Sequence, residues 1–358
     1  MFLVAVPAMA LLLIAGPVLL PEFRSDRAGR LDPVSVGLSL VAVLAMVYGI
    51  KQLAVEDTPI VPAVALVVGA AVGVLFVRRQ LHLETPLLDL RLLRNRPFTA
   101  VLVALVLAGI AMAGTGLLVT QYLQSVLGYS PAASALLFAP MGLGEAAGTM
   151  AAPARARRIK PTTAMAGGPA GSALGSLLLV GAEGAYALPL VMIGITVLAL
   201  GTGPLFALGT GLVVGSVPPE RAGSAASMSE TGNYFGGSLG FALLGVLAAV
   251  VYRTRMDDTS DSLAGAVEAS GRLPAGQGAD LLHTARAAFT TGLHVIGIVA
   301  AIVFAASAVL ILAMRPATGT TSAGLPERED APRAPEGVCG RRVRVALDQA
   351  VDVDPVGR

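Results

Sequence analysis

Two carboxylates stand inside long apolar stretches of the chain. Glu230 lies within SAASMSETGNYFGGSLGFALLGVLAAVVY (224–252) and Glu145 within LLFAPMGLGEAAGTMAAP (136–153). An ionised carboxylate in hydrocarbon is expensive, so such a residue marks an ion or substrate path unless it sits at a wet helix start. At helical spacing Ser227, Glu230, Tyr234, Gly237 and Phe241 share one side, with Asn233 beside them. Gly232, Gly236 and Gly240 fall nearly opposite, a small-xxx-small ridge that admits a second helix backbone. Glu230 is nine residues beyond Arg221, roughly 13 Å along a helix, below the headgroups but short of the midplane. Glu145 is ten residues before Arg155, about 15 Å, which is near the midplane. Gly142, Gly144, Ala146, Ala147 and Gly148 leave room beside it. An acid there faces a wet cavity, pairs with a cation, holds a proton, or stays neutral and bonds a neighbouring helix. No Lys or Arg lies in the core of any apolar run, which favours a proton or a cationic ligand. The candidate binding set is Glu230, Glu145, Tyr234, Asn233 and Ser227.

Composition says what positions these residues. Of the 358 residues, 55% are hydrophobic and 13% charged, and Trp is absent; a soluble domain carries roughly a quarter charged residues. The chain is an all-α integral membrane protein: its apolar runs of about 20 residues suit helices, and the ten-residue alternation of a barrel is missing. Cys339, the sole cysteine, excludes a disulfide framework. His82, His283 and His294 lack metal spacing and read as loop or helix-end residues, so no metal is expected. HExxH, paired-aspartate and GxxxxGK[ST] patterns are absent, which argues against an enzyme and against ATP drive. No nucleic-acid partner is expected; the constant partner is the lipid bilayer.

Nine apolar runs, at 2–20, 34–53, 60–77, 98–118, 132–152, 163–181, 186–214, 224–252 and 289–314, read as spans. A signal peptide at the first is disfavoured, because no basic residue precedes it and Pro-Glu-Phe-Arg follows. Arg24, Arg27 and Arg30, then Arg78, Arg79, Arg91, Arg94 and Arg96, then Arg155 to Lys160, then Arg221 and Arg315 fall on one side if the spans alternate. That side is cytoplasmic by the positive-inside rule, with Met1 outside and the C-terminus inside a cell membrane. The expected organisation is three helices in 2–80, a cytoplasmic linker at 81–97, a six-helix bundle in 98–314 and a disordered tail at 315–358. In the linker, Leu83, Leu87, Leu90 and Leu93 suggest an amphipathic turn lying flat on the membrane, with Arg94 snorkelling. The extracellular loop 253–286 holds two helical pieces, 262–270 and 278–288, separated by Pro274. Whether it caps the bundle or only tethers two spans stays open.

Pro140, Pro169 and Pro204 lie inside expected spans, where proline breaks the backbone ladder. Gly201, Gly203, Gly209 and Gly211 crowd around Pro204, so that span is breakable. Pro140, Pro204 and Gly203 are the hinge candidates, although Gly and Pro are common in membrane helices anyway.

Four stretches carry a resemblance. VPPERAGSAASMSETGNYFGGSLGFALLGVLAAVVYR, TPLLDLRLLRNRPF, QYLQSVLGYSPAASALLFAPMGLG and FLVAVPAMALLLIAGPVLLPEFR resemble successive parts of the fourteen-helix drug:proton antiporters of the major facilitator superfamily. The likeness is to their antiseptic, quaternary-ammonium and multidrug efflux branch. It implies a partial major-facilitator fold that starts at the family's sixth helix. The first five helices, the inner loop after the second and the antiporter motif of the fifth have no counterpart here, and Ala5 stands where the family often has Asn. The resemblance implies that Glu145 and Glu230 meet lipophilic cationic drugs or antiseptics and protons in a central cavity. The proton would be the coupling ion, with no other cofactor. A facilitator cavity lies between two six-helix halves. The alternative is therefore a truncated, transport-incompetent chain, or a half-transporter needing its missing N-terminal half from another chain.

Overall fold

The computed structural model describes residues 32–53, 59–83, 86–217, 221–256, 260 and 262–314, together with Met9 and Leu13. Eight helices among the described residues are long and apolar enough to cross a membrane. They coincide with the second to ninth expected spans. The first, 2–20, lies outside the described residues apart from Met9 and Leu13, as does the tail 315–358.

Pro33–Leu53 (α1) and Ile60–His82 (α2) form an antiparallel hairpin. The two backbones meet at glycines: a Cβ on Gly49 would lie 2.9 Å from the Pro62 carbonyl oxygen, and one on Gly69 would lie 2.9 Å from Met46 N. The next helices are Arg96–Gln121 (α3), Pro131–Leu137 (α4), Ala139–Arg158 (α5), Pro161–Leu178 (α6) and Ala187–Gly215 (α7). Ala222–Met256 (α8), Leu263–Ser270 (α9) and Ala275–Ala313 (α10) complete them. Proline opens α3, α4, α5 and α6 in the first turn, where an absent N–H forfeits no intrahelical bond. A turn of π-helix at Tyr122–Val126 ends α3.

The spanning helices α3, α5, α6, α7, α8 and α10 make the bundle. The main pairings are α3 with α8, α5 with α7, α6 with both α7 and α10, and α10 with α3 and α8. Phe98, Leu105, Leu205 and Phe304 are fully buried toward one end, and Leu123, Leu179, Ile195 and Leu293 toward the other. The α1–α2 hairpin leans on this bundle through α1 against α8.

One expectation is revised, one is extended, and one left open is decided. The linker does contain a helical turn, but its leucines do not share one face. Its helical part is a short 3₁₀ segment, Leu90–Arg94, begun by Asp89, which accepts from Arg91 N. Leu88, Leu90 and Leu92 face the bundle core while Leu93 is exposed. The tighter turn and extended flanks replace the period expected of an α-helix. The linker is held by Arg221 against Asp89 at 3.3 Å and by Asn95 Nδ2 donating to the Ser216 carbonyl at 3.3 Å. Second, α8 runs on to Met256 and α10 begins at Ala275, so most of 253–286 belongs to helices. Third, this region packs. Leu263 and Ala266 of α9 join Tyr252, Met256, Ala285 and Ala288 in a buried cluster, so α9 is a cap on the bundle end and not a loose tether.

At the opposite end a polar network joins the α1–α2 hairpin to the linker. Asp32 Oδ2 accepts from Ser35 Oγ at 2.7 Å and from Arg79 Nε at 2.9 Å. Buried Gln80 donates to Ser35 Oγ at 2.7 Å and accepts from Leu88 N at 3.2 Å. The Ser35 hydroxyl, assisted by Arg79, holds the Asp32 carboxyl below the usual carboxylate range. A depressed carboxyl stabilises the fold above its unfolded value, about 3.9, and that contribution fades as pH falls through the folded value. Thermal unfolding in detergent should show wild type more stable than Asp32→Asn at pH 6, with the gap closing below about pH 4.

Candidate functional site

Glu145 and Glu230 open into one cavity of about 930 Å³. Its walls come from α3 (Gly109, Met112), α5 (Glu145, Thr149), α7 (Phe206, Thr210) and α8 (Glu230, Asn233, Tyr234, Phe241). Glu145 is half-buried, and Glu230 and Tyr234 are exposed on the open side. Among the described residues no Lys, Arg or His lines the cavity, and neither carboxylate forms a hydrogen bond or ion pair. The lining is therefore an aromatic and aliphatic bowl with two acids, one amide and several hydroxyls. That suits an apolar body carrying positive charge.

Glycines set the walls at this spacing. Gly236 and Gly240 of α8 lie against the Val106 and Ile110 carbonyl oxygens of α3, with no room for a Cβ. Gly232 sits more loosely, its Cβ position 3.0 Å from Leu102 Cδ1. With the ridge turned to α3, the polar side of α8 is left facing the cavity. Helix α5 meets α7 in the same way. Gly148 lies against the Leu200 carbonyl, and a Cβ on Gly203 would come within 2.9 Å of the Glu145 carbonyl. The matching contact on the other pair is Gly109 against the Asn233 carbonyl at 3.0 Å. One joint is thus built twice: Leu200, Gly203, Gly148 and Glu145 on α7–α5 correspond to Val106, Gly109, Gly236 and Asn233 on α3–α8. Glu145 and Asn233 occupy equivalent places, an acid in one copy and an amide in the other.

Of the sequence-predicted site residues, the fold brings together Glu145, Glu230, Asn233 and Tyr234. It leaves out Ser227, whose exposed hydroxyl donates to the Ser224 carbonyl at 2.9 Å. Pro140 stands in the first turn of α5, just after Phe138, where the expected 132–152 helix is interrupted for one residue whose backbone stays in the right-handed helical region. The expected break at Pro204 is absent, because α7 is one continuous helix from Ala187 to Gly215. Three of the glycines around Pro204 pack: Gly201 lies against Ser172 and Gly168 of α6, Gly203 against α5 and Gly209 against Val101 of α3, while Gly211 has nothing within 4 Å of its Cβ position. Sequence reasoning missed Thr149, Thr210, Ser229 and Ser238. Thr149 was legible as the residue one turn after Glu145, and Ser238 as one turn after Tyr234; Thr210 had no such signal.

A second cavity of about 800 Å³, at the end of the bundle where α3 terminates, gathers Tyr122, Glu183, His283, Arg286 and His294. His283 and His294 are therefore interior positions of α10, not loop or helix-end residues. His294 Nδ1 lies 3.8 Å from Glu183 Oε1. Among the described residues no group of three His, Cys, Asp or Glu is placed to hold a metal.

A profile of the Major Facilitator Superfamily matches residues 2–241. The chain belongs to that superfamily. It is 35% identical over 326 residues to multidrug efflux pump LfrA of Mycolicibacterium smegmatis, covering 88% of this chain and 65% of that protein. Multidrug resistance protein Stp of Mycobacterium tuberculosis is 30% identical over 250 residues, covering 69% of this chain and 46% of Stp. Methyl viologen resistance protein SmvA of Salmonella typhimurium is 26% identical over 304 residues, covering 80% and 61%. The chain thus spans between about half and two thirds of these relatives. It is a multi-pass membrane protein of the facilitator fold.

The glycine joints make a direct prediction. Gly148→Ala and Gly236→Ala should each destabilise the detergent-solubilised protein by about 1–3 kcal/mol, as overpacking does. Gly142→Ala, with nothing within 4 Å of its Cβ position, should be neutral or raise stability by up to about 1 kcal/mol. Thermal or denaturant unfolding of the three variants checks the ranking.

Proposed function

We propose that the cavity is the drug and proton site of a secondary exporter that exchanges protons for lipophilic cations. The observation that carries the reading is the pair of carboxylates in one apolar cavity without a described cation to balance them. A guest with a positive charge and an aromatic body satisfies both the acids and the walls. A proton on Glu145 or Glu230 removes the charge that holds the guest, so protonation and cation binding compete for the same oxygens. Net inward movement of protons then drives outward movement of the cation. Asn233, at the place equivalent to Glu145, and the Tyr234 phenol supply hydrogen bonds that do not change charge. The name of one relative agrees with this class of substrate. Methyl viologen, in the name of SmvA, is a doubly charged aromatic cation, and quaternary ammonium antiseptics share the combination of fixed charge and apolar surface. The loop arginines support an orientation in a cell membrane in which the α5–α6 and α7–α8 turns and the C-terminus are on the cytoplasmic side.

Proton-driven ethidium efflux, measured in cells or everted vesicles, tests the mechanism. Glu145→Gln and Glu230→Gln should each slow efflux about tenfold or more, the equivalent of about 1.4 kcal/mol of lost cation binding. Wild-type rates in both variants would remove the acids from the mechanism.

A second reading is favoured by the exposed side of the cavity, where Tyr234 is 74% accessible. In a facilitator the opposite wall is another six-helix bundle. On this reading the chain transports only when a separate N-terminal half faces it. Efflux that appears only on co-expression with the N-terminal helices of a relative would establish it, and efflux by the chain alone would discard it.

A further inference from the structure

Away from the transport cavity, a groove of about 450 Å³ lies between the ends of α1 and α2 nearest the linker. Its lower wall is aliphatic: Val34, Leu38 and Leu75. Its rim carries Arg78, Arg79 and His82. The wall continues as a strip toward the far end of the hairpin. Val34 and Val41 lie on one side of α1, and Leu75 and Val68 on one side of α2, each between 45% and 55% accessible. The rim is built, not incidental. Arg79 is fixed by Asp32 at 2.9 Å, and that carboxylate is held in turn by Ser35. His82 Nδ1 sits 2.7 Å from the Arg78 carbonyl. Asp32 balances one arginine, so among the described groove residues one full positive charge is left over beside the imidazole. The charge begins where the apolar run of α2 ends, at Val77, which is where a lipid phosphate stands relative to its acyl chains.

We propose that this groove binds a single anionic phospholipid of the cytoplasmic leaflet. Its phosphate lies between Arg78 and His82, and one acyl chain lies along Leu38 and Leu75. Basic pockets between helices on the cytoplasmic side take anionic headgroups in this manner. The aliphatic floor selects a lipid over a soluble phosphate, because a free anion leaves that floor bare. The site would tie α1–α2, the described membrane-length helices outside the six-helix bundle, to the composition of the bilayer.

The test uses the purified full chain in mild detergent, titrated with phosphatidylglycerol, phosphatidylcholine or glycerol 1-phosphate. Native mass spectrometry and thermal unfolding follow binding. Phosphatidylglycerol should bind with one-to-one stoichiometry and raise the unfolding temperature, while the other two ligands should do neither. Arg78→Gln should weaken that binding about fivefold, and the double change with His82→Gln further. Leu38→Trp, which fills the floor and keeps every charge, should also abolish it. Arg158→Gln, a cation on the same side but on α5, should leave it intact. Equal binding of phosphatidylcholine, competition by glycerol 1-phosphate, an equal loss in Arg158→Gln, or no binding of phosphatidylglycerol would each overturn the proposal.

Discussion

The structure depends on backbones meeting without side chains between them. In lipid the hydrophobic effect supplies little force between helices, so association rests on close van der Waals contact and weak polar contacts along the approach. Gly148 and Gly203 provide this for α5 and α7, and Gly236 and Gly109 for α3 and α8. Both joints also fix the angular setting of the helices they unite. Once the glycine side of α8 is turned to α3, Glu230, Asn233 and Tyr234 come to line the cavity. Once Gly148 is turned to α7, Glu145 is brought to the same space.

The acids are tolerable because of that space. A carboxylate pressed into packed hydrocarbon would need a partner, and none is present among the described residues. The cavity offers water, a proton or a guest instead. Glu145 is the more enclosed of the two and Glu230 the more open. The charged clasps lie elsewhere, at the helix ends: Asp32 with Arg79, and Asp89 with Arg221. The described ion pairs of this region thus sit at the helix ends, while the two cavity acids have none among the described residues.

Much of this was legible in the sequence. Long apolar runs located eight spans, because hydropathy over about 20 residues leaves few alternatives in a bilayer. The glycine spacing in 232–240 announced a contact face, and the acids announced the other. What the sequence could not show was which glycines pack and which bend. The cluster around Pro204 reads as a breakable helix in one dimension; in three, Gly201 and Gly203 are packing faces toward α6 and α5. Ser227 was misassigned because helical periodicity says which side a residue takes but not how far along the helix the cavity reaches. The linker was misread because its leucines fit two periods, and the choice was made by the bundle surface beneath Leu88 and Leu92. His283 and His294 were taken for loop or helix-end residues because the helix starts at Ala275, well before its apolar stretch.

The joints are made of main chain, while the cavity is lined by side chains that take no part in them. Met112, Thr149, Phe206, Thr210 and Phe241 can each be exchanged without disturbing a glycine contact. Selection on what the bowl accepts can therefore proceed by single substitutions, at little risk to assembly. A lineage could broaden or redirect its range of guests quickly, while the glycine positions stay frozen by steric necessity.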